Sequence, residues 1–399
     1  MFGFDILAAQ GDARFGKIST QRGSIYTPSF VPVGTFAGMG SVFPDELREL
    51  GCQVIITNAY HLHLRPGDEL IERRGGLHQF MGWDGPLITD SGGFQIFSLG
   101  AAKQYGGSKI APIFSHPIEQ SASLRSIKGS PLVRIDEDGV EFVSYLDGSR
   151  HRFTPEKVMA IGRRLGTDIL MVLDECTSPF HDYRYTNEAM ERTHRWATRS
   201  LEEFEHIKPS QQAIIGIVQG GAYRDLRRKS ARFIGGLNFD GYAIGGSLGK
   251  SKEDMYHVLD WTIPLLPDEK PRHLLGIGEV VDIFEIVTKG IDLFDCVFPT
   301  MLAKTGTFLI REAERFRIHI QNARFKEDSS PIENGCRCYT CRHYSRSYLR
   351  HLFMVKDPSA TRLAAIHNLY FLESLMTEIR ESIQKGRLTD LEREWGVRR

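Results

Sequence analysis

Eight short apolar runs lie within the first 295 residues of the chain, and each has the length of a buried β-strand. Segments with helical periodicity separate most of them, and glycine follows several of these segments, as left-handed helix ends prefer. Strand and helix alternate eight times over roughly 270 residues, which predicts an α/β fold, a (β/α)₈ TIM barrel. The predicted strands are 30–33, 53–57, 86–89, 169–173, 213–218, 241–244, 273–277 and 291–294, and the predicted helices are 44–50, 67–74, 155–165, 187–206, 223–234, 252–263 and 279–288.

Polar residues stand where five of these strands end. They are Asn58, Asp90, Asp174, Gln219 and Asp295. Any one of them is ordinary, because Asp and Asn commonly start the turn after a strand. The carboxyl ends of parallel barrel strands lie on one face, however, so the five side chains are predicted to converge where such folds keep their active sites. The set therefore favours a functional site.

Two parts of the chain fall outside this alternation. The gap at 91–150 is too long for a bare loop, and within it 140–148 is typical of half a β-hairpin, whereas 101–127 is predicted to be an insertion. Beyond about residue 305 a β-rich passage, a cysteine cluster and a long helix with Asp357 as its N-cap follow. We predict a barrel domain at 1–304, a metal-binding subdomain at 305–386 and a tail at 387–399.

Composition adds few constraints. The chain has 399 residues, 41% of them hydrophobic, and 50 basic and 50 acidic residues, so its overall charge favours neither a nucleic-acid nor an acidic ligand. No apolar run approaches the roughly 20 residues that span a bilayer, and the N-terminus lacks the basic and apolar regions of a signal peptide. We therefore expect a cytoplasmic protein without a membrane segment.

Three of the six cysteines are crowded together, as Cys336, Cys338 and Cys341. In a cytosolic protein such crowding favours metal over disulfides. His367, 26 positions later, would complete a tetrahedral set for zinc, with His343 and His351 as rival fourth ligands. Four protein ligands leave no open position, so this zinc would be structural. The alternative is three reduced thiols, which would be prone to oxidation.

The stretch 337–356 contains five Lys or Arg residues and no Asp or Glu, with aromatic residues between them. Such a mixture suits the phosphates and bases of a nucleic acid. Charge compensation of the thiolates and a solvated helix face explain it equally well. The stretch alone does not decide between these interpretations.

The strand-end carboxylates can divide the work of a glycosyl transfer. Asp295 can attack an anomeric carbon while Asp90 manages the proton of the leaving group, as in retaining glycosidases. Asp174, with Gln219 and the backbone of 245–246, offers the mixture of acceptors and donors that a guanine-like edge demands.

A glycine turn, Ser91-Gly92-Gly93, directly follows Asp90. Two glycines allow the backbone to approach a ligand closely. The next residue, Phe94, can stack on a flat base, although a single Phe more often packs in the interior.

Several long motifs follow one another along the chain: Thr89-Asp-Ser-Gly-Gly-Phe-Gln95, Asp174-Glu-Cys-Thr177, Gly216-Ile-Val-Gln-Gly-Gly221, Phe294-Asp-Cys-Val-Phe-Pro-Thr300 and the Cys/His set. Together they resemble the tRNA-guanine transglycosylase family, also called queuine tRNA-ribosyltransferases, from about Ala13 to Gly386. The resemblance implies a zinc-containing TIM barrel that forms a homodimer. It also implies exchange of guanine, at the wobble position of tRNAs with a GUN anticodon, for a 7-deazaguanine.

The resemblance further implies a role for each matching residue. Asp295 matches the nucleophile that forms a covalent ribosyl-enzyme intermediate, and Asp90 matches the general acid/base. Phe94 matches the stacking ring, and Asn58 and Gln95 match residues that orient the nucleophile. Base binding falls to Asp174, Gln219 and Gly246, with their neighbours Gly245 and Ser247, and zinc binding to Cys336, Cys338, Cys341 and His367.

Three features depart from the usual bacterial pattern. After Gly246 the chain reads Ser247-Leu-Gly-Lys-Ser251, one residue shorter, in the loop that roofs the pocket for the base's substituent. The incoming base is therefore left open between the pre-queuosine base and queuine. Met301 stands where the family usually has Arg, with Lys304 as a possible substitute, and 101–127 has no assigned role.

We interpret the chain as a catalytically competent tRNA base-exchange enzyme. The alternative is a noncatalytic tRNA-binding partner subunit, which is expected to lack the nucleophile and the acid/base pair. Asp295 and Asp90 both stand in matching context here. In this interpretation the basic stretch 337–356 holds the anticodon arm.

Overall fold

The computed structural model describes residues 2–97, 132–207 and 211–397, and the predicted insertion at 101–127 lies outside these ranges. The strands, in chain order, are β1 (Gly3–Gln10), β2 (Ala13–Thr20), β3 (Gly23–Thr27), β4 (Ser29–Pro32), β5 (Ile55–Asn58), β6 (Leu87–Asp90), β7 (Val133–Ile135), β8 (Val140–Val143), β9 (Arg150–Phe153), β10 (Ile169–Met171), β11 (Ala213–Val218), β12 (Gly241–Ile244), β13 (Arg272–Leu274), β14 (Leu293–Cys296), β15 (Thr307–Leu309) and β16 (Arg317–His319). The α-helices are α1 (Pro44–Glu49), α2 (Ala59–Leu64), α3 (Asp68–Arg73), α4 (Leu77–Met81), α5 (Pro155–Leu165), α6 (Tyr183–Ile207), α7 (Arg224–Gly235), α8 (Lys252–Thr262), α9 (Val280–Thr288), α10 (Phe298–Lys304), α11 (Tyr339–His343), α12 (Arg346–Met354), α13 (Pro358–Gln384) and α14 (Leu388–Glu394).

Eight parallel strands form the barrel, in the order β4, β5, β6, β10, β11, β12, β13 and β14. Strand β14 pairs with β4, and a parallel bridge between Val33 and Ile56 joins β4 to β5, so the ring closes. The Gly34 N–H donates to the Ile56 carbonyl at 2.8 Å across this bridge. The strands are almost entirely buried, as expected when helices cover the sheet. The predicted (β/α)₈ barrel is confirmed.

The predicted strand bounds agree with the structure to within three residues. The largest difference is at the seventh strand, expected at 273–277 and observed at Arg272–Leu274, because Gly276 adopts a φ of 81° that ends the extended backbone. All seven predicted helices are present, although α6 begins four residues earlier than expected. Helices α2 and α4, of six and five residues, were not predicted because they are too short for periodicity to show.

Helix α5 shows how local signals fix these bounds. The Thr154 side chain accepts a hydrogen bond from the Lys157 N–H, and Pro155 occupies the first turn, where its missing N–H costs nothing. Gly166 ends the helix in the left-handed conformation, with a φ of 67°.

A small antiparallel sheet of β7, β8 and β9 stands between the third and fourth barrel strands. Strand β8 carries the predicted half hairpin and pairs with β9 from Val140 to Val143. The ring of Phe142 lies 5.0 Å from that of Tyr60 in α2. The sheet therefore packs beside the carboxyl end of β5, on the face where the predicted site residues lie.

The N-terminal sheet of β1, β2 and β3 was not predicted. Its first strand has Ile6 and Leu7 exposed, 44% and 53%, and its register shifts between Ile6 and Ala8, so it lacks a clean alternation of apolar and polar residues. Strand β2 is tied to the barrel by a buried ion pair between Arg14 and Asp292.

The long helix α13 was predicted, with Asp357 as its N-cap and Pro358 in its first turn, and the Asp357 side chain accepts from the Ser359 N–H at 2.8 Å. The helix contacts β1, β2, β4 and α10. Gly386 follows it with a φ of 66°, and the predicted tail contains a further helix, α14. The buried apolar stripe of α13 is Leu372, Leu375, Met376, Ile379 and Ile383.

Candidate active site and metal cluster

Three carboxylates meet at the carboxyl-end face of the barrel. Asp90 is the last residue of β6, Asp295 is the last residue but one of β14, and Asp174 follows β10. Burial and the negative charges of Asp174 and Asp295 raise the pKa of Asp90 from its ordinary 3.8 to about 7, although the N–H groups of Gly92 and Ser91 oppose the shift. Asp90 is therefore a group of this site whose protonation changes near neutral pH.

A buried histidine holds the side chain of Asp295. The Nε2 atom of His273, in the neighbouring strand β13, lies 2.9 Å from Asp295 Oδ1. An ionised carboxylate only accepts hydrogen bonds, so Nε2–H is the donor, and the buried Nδ1 of His273 is left without a partner among the described residues. One oxygen of Asp295 is thereby fixed, and the other makes no hydrogen bond within the described residues.

Asn58 contacts Asp90. Its Nδ2–H donates to Asp90 Oδ2 at 2.6 Å, and its Oδ1 accepts from the His61 N–H at the start of α2. The resemblance had implied that Asn58 and Gln95 orient the nucleophile. The structure instead places Asn58 against the acid/base candidate, while Gln95 has a buried Oε1 without a partner in the described part of the chain.

Asp174 and Gln219 form a second hydrogen-bonded pair. Gln219 Nε2–H donates to Asp174 Oδ2 at 2.6 Å, and the Ser91 hydroxyl donates to Asp174 Oδ1 at 3.3 Å. Burial raises the pKa of Asp174 to about 6, and these two hydrogen bonds oppose the rise. Gln219 Oε1 is buried and has no partner in the described residues, so the pair presents acceptors to the site.

Two glycines allow the backbone to come this close. A Cβ atom at Gly93 would lie 2.7 Å from Asp174 Oδ1, and one at Gly246 would lie 2.0 Å from Gln219 Oε1. Gly246 also has a φ of 71°, which side chains disfavour. Phe94, directly after Gly93, is half-buried.

The loop after β12 is fixed by hydrogen bonds to Arg227 and within its own turn. Ser247 is buried, its hydroxyl accepts from the Gly249 N–H at 3.2 Å, and its carbonyl accepts from Arg227 at 2.8 Å. The Ser247 side chain therefore shapes its own turn. Gly245 is also buried, at the end of the strand.

The four predicted metal ligands form one cluster. His367 Nδ1 lies 3.8, 3.5 and 3.3 Å from the Sγ atoms of Cys336, Cys338 and Cys341 respectively. All four atoms lie within 4.8 Å of one another. A tetrahedral zinc ion with the usual bond lengths separates its sulfur and nitrogen ligands by about 3.6 Å, so the set fits such an ion.

His367 is oriented for this role by its second ring nitrogen. Its Nε2–H donates to the Leu309 carbonyl at 2.7 Å, which leaves Nδ1 to face the thiolates. The rival histidines, His343 and His351, are exposed, and His343 packs its ring against Tyr339 at 4.6 Å. Neither belongs to the cluster found among the described residues.

Comparison with known proteins decides the family. The family model for queuine tRNA-ribosyltransferase matches residues 9–125 and 113–399. A queuine tRNA-ribosyltransferase of Roseiflexus sp. is 47% identical over 405 residues, which covers 98% of each chain. One of Caldanaerobacter subterraneus is 46% identical over 388 residues, covering 97% of this chain and 94% of that protein. This chain belongs to the queuine tRNA-ribosyltransferase family.

Queuine tRNA-ribosyltransferases are tRNA-guanine transglycosylases, so the chain is a transferase of the family that exchanges guanine in tRNA. The motifs that carried the resemblance all lie in the described barrel face or the metal cluster. Within the described ranges, no helix has both the length and the apolar character needed to cross a bilayer.

Two residues of this queuine tRNA-ribosyltransferase site were missed from the sequence. His273 and Arg227 are 1% and 0% exposed, respectively. Each is a polar residue at a position where the apolar pattern of its strand or helix predicts a buried side chain. This is the only signal that the sequence offers. Their partners lie in other loops, so that signal could not say what they hold.

Met301, where the resemblance implied Arg, lies in α10, directly after the strand that carries Asp295. Lys304 is the last residue of the same helix. The position is therefore beside the site, at the start of the segment that leads to the metal cluster.

Proposed function

We propose that the enzyme replaces guanine at the wobble position of tRNAs with a GUN anticodon by a 7-deazaguanine, through a covalent bond between the ribose and Asp295. The single observation that carries this proposal is that two carboxylates with different surroundings share one site. Asp295 is held by His273, whereas Asp90 has a pKa of about 7. One is suited to attack and the other to proton transfer.

In the first step, the free oxygen of Asp295 attacks C1′ of the wobble guanosine. A C1′–O bond forms, the C1′–N9 bond breaks, and Asp90 gives its proton to the leaving guanine. The electron pair of the broken bond leaves with the base. Asp90 is then an anion beside the vacated base pocket.

In the second step, Asp90 takes the N9 proton of the incoming base, whose N9 attacks C1′ and releases Asp295. Two inversions retain the configuration at C1′. Water must be kept from the intermediate, because hydrolysis would leave an abasic tRNA. The close packing of Gly93 against Asp174 supports a pocket with little spare room.

Base recognition is assigned to Asp174 and the residues around it. Asp174 and Gln219 Oε1 would accept the N–H donors of a guanine edge, and the Gly246 N–H would donate to its 6-oxo group. Gly245 and Ser247 fix the loop that carries this amide, and Phe94 would stack on the ring. The incoming 7-deazaguanine is either the pre-queuosine base or queuine.

We assign structural zinc to Cys336, Cys338, Cys341 and His367, because the spacing of their atoms fits the ion and no fifth position is needed. The zinc would fix α11 and α13 to each other. In this scheme 1–304 is the catalytic unit, with 101–127 inserted in it, 305–386 is the metal-binding and tRNA-contacting unit, and 387–399 follows.

Four arginines are grouped around one cavity of the C-terminal part. The cavity, of about 800 Å³, is lined by Arg315, Arg317, Arg324 and Arg346, together with the acidic residues Glu312, Glu314 and Asp328. A smaller one of about 340 Å³ shares Arg315 and Arg317 with it and reaches Glu279 and Phe298, just after β13 and β14. We assign the surface around these cavities, with the stretch 337–356, to the phosphates of the anticodon arm.

The assembly and the location follow from the family resemblance. We propose that the enzyme acts as a homodimer and that it works in the cytoplasm, where its tRNA is. Size-exclusion chromatography with light scattering would test the first statement, and a monomeric mass at micromolar concentration would contradict it.

Trapping the covalent RNA adduct tests the proposed function. Wild-type protein incubated with a guanine-wobble tRNA should give a band that resists denaturing gel electrophoresis. Asp295→Asn keeps the side-chain shape but not the nucleophile, so its adduct should be lost, and turnover should fall by about 10³-fold or more. Zinc content and melting temperature should not change. An adduct that persists in this variant would contradict the assignment.

Offering the pre-queuosine base and queuine separately, with mass spectrometry of the wobble nucleotide, decides which base is used. Incorporation of the pre-queuosine base alone would place the enzyme in a biosynthetic route. Preference for queuine would mean salvage. Incorporation of neither would favour a noncatalytic tRNA-binding subunit instead.

A further inference from the structure

Arg227 is a buried arginine that no carboxylate balances among its partners in the described residues. It lies in α7 with 0% exposure, and all of its hydrogen bonds go to backbone carbonyls. Burial lowers its pKa to about 9. Keeping such a group in the interior is costly, so its contacts need an explanation.

Those contacts join two loops of the base site. Nη1–H donates to the Val218 carbonyl at 2.9 Å and Nε–H to the Gly221 carbonyl at 2.6 Å, on either side of Gln219. Nη2–H donates to the carbonyls of Gly245 and Ser247, at 2.9 and 2.8 Å. One planar side chain thus fixes the loop after β11 and the loop after β12 to each other. A lysine, with a single ammonium group, cannot hold four acceptors in this way.

These bonds also decide which backbone groups face the site. In a trans peptide the C=O and the following N–H point in opposite directions. Because the carbonyls of Gly245 and Ser247 point at Arg227, the N–H groups of Gly246 and Leu248 point away from it. Neither amide has a hydrogen-bond partner among the described residues. Gly246 is the one residue of 241–249 that is partly exposed, and it lies against Gln219.

We propose that Arg227 is a positioning residue for base recognition, which turns the carbonyls of the loop after β12 away from the base so that the Gly246 N–H faces its 6-oxo oxygen. This inference rests on the proposed function. The site then matches a guanine edge from both sides, with a donor for the 6-oxo group and acceptors at Asp174 for the N–H groups next to it.

The test compares Arg227→Lys with wild type in the exchange of labelled guanine into tRNA. Guanine, 6-thioguanine and hypoxanthine are the probes. 6-Thioguanine replaces only the 6-oxo oxygen, by a weaker acceptor, whereas hypoxanthine keeps that oxygen and lacks the 2-amino group. We expect wild type to exchange guanine about tenfold more efficiently than 6-thioguanine, which is the difference expected from the loss of one hydrogen bond. In Arg227→Lys the KM for guanine should rise about tenfold and this preference should largely vanish.

The preference for guanine over hypoxanthine should be retained in the variant, since it depends on Asp174. A merely structural loss would lower all rates together without changing one ratio alone. Arg228→Lys is the matched control, because Arg228 is the next residue of the same helix and its side chain makes no hydrogen bond or ion pair within the described residues. It should behave as wild type.

Each result of this comparison supports or overturns the inference about Arg227. If wild type exchanges guanine but Arg227→Lys keeps the wild-type KM and preference, the inference is overturned while the proposed function stands. If wild type exchanges no guanine, the proposed function fails, and the inference falls with it. If Arg227→Lys does not fold, Arg227→Gln is compared with wild type by the same two ratios. Loss of the preference for guanine over 6-thioguanine alone would then support the inference, and an unchanged preference would overturn it.

Discussion

At the scale of single residues, the two carboxylates of the site differ in what holds them. His273 fixes Asp295, and Asn58 fixes Asp90. The two residues therefore have the same side chain but different hydrogen-bond partners. The proposed division of their roles depends on these neighbours, which come from other strands.

Removing the histidine should slow the attack without weakening base binding. His273→Phe deletes the donor to Asp295, so the carboxylate can rotate, and adduct formation at saturating tRNA should fall about 10- to 100-fold. The KM for guanine should stay within about twofold of wild type. Rapid-quench gel analysis of the adduct gives the rate.

His257→Phe is the control for that variant, because His257 is an exposed histidine on α8 that stacks on Trp261. It should leave the adduct rate unchanged. If His273→Phe forms the adduct as fast as wild type, Asp295 does not need the buried histidine.

Asp90 gives the reaction a pH dependence. Its pKa, raised to about 7 by burial and by Asp174 and Asp295, makes it a proton donor below that pH and a proton acceptor above it. In the proposed reaction, release of guanine needs the protonated form of Asp90, so adduct formation should decline as the pH rises through about 7. Measuring the adduct rate between about pH 5.5 and about pH 8.5 checks this. A rate that still rises at the upper limit would exclude Asp90 as the acid.

At the scale of elements, the Cys/His cluster is linked to the segment that follows Asp295. Asn368, next to His367 on α13, donates to the Pro299 carbonyl at 3.0 Å. Pro299 lies in the first turn of α10, four residues after Asp295. A change at the cluster can therefore reach the site through one helix.

Cys338→Ser should release the metal and weaken both fold and activity. Metal analysis of the purified variant should show loss of zinc, and thermal unfolding should show destabilisation on the order of 3 kcal/mol or more. Cys52→Ser, which changes a buried thiol outside the cluster, should keep its zinc. Full metal content in Cys338→Ser would contradict the ligand assignment.

The barrel strands and major helices could be predicted because each repeats a local pattern. Helix α5 has its cap, its proline and its terminal glycine in sequence. Strand β1 could not be predicted, since Ile6 and Leu7 are exposed and its alternation is broken by the register shift. The sequence likewise identified Asp90 and Asp295 by their place at strand ends.

The supporting contacts of the site could not be predicted. Arg227 binds carbonyls, which every residue has, so no motif distinguishes its partners. Asn58 was expected at the nucleophile, and only the packing of neighbouring strands shows that its amide reaches Asp90. Position along the chain indicates which residues are candidates for the site, but three-dimensional packing determines the hydrogen-bond partner of each one.

At the scale of the whole molecule, the arginine-lined cavity predicts how binding of tRNA will change. Arg315 is exposed, lines both cavities and has no hydrogen-bond or ion-pair partner within the described residues. Arg315→Ala should raise the KM for tRNA several-fold while the KM for guanine stays constant. The slope of log affinity against log salt should become shallower by about 0.7–0.9, the loss of one phosphate contact.

Filter binding at several salt concentrations measures that slope. Arg232→Ala, which removes an exposed arginine from the outer helix α7, serves as the matched control and should leave the slope unchanged. An equal slope in wild type and Arg315→Ala would place the phosphates elsewhere.

Helix α13 joins the two ends of the molecule. It contacts β1, β2 and β4, and Arg380 donates to the Pro28 carbonyl at 2.9 Å. During translation this helix leaves the ribosome roughly 330 residues after those strands, on the order of half a minute later at usual elongation rates. During that time the first strands of the nascent barrel are not covered by α13. A chain that stops before residue 358 lacks the helix that packs against them.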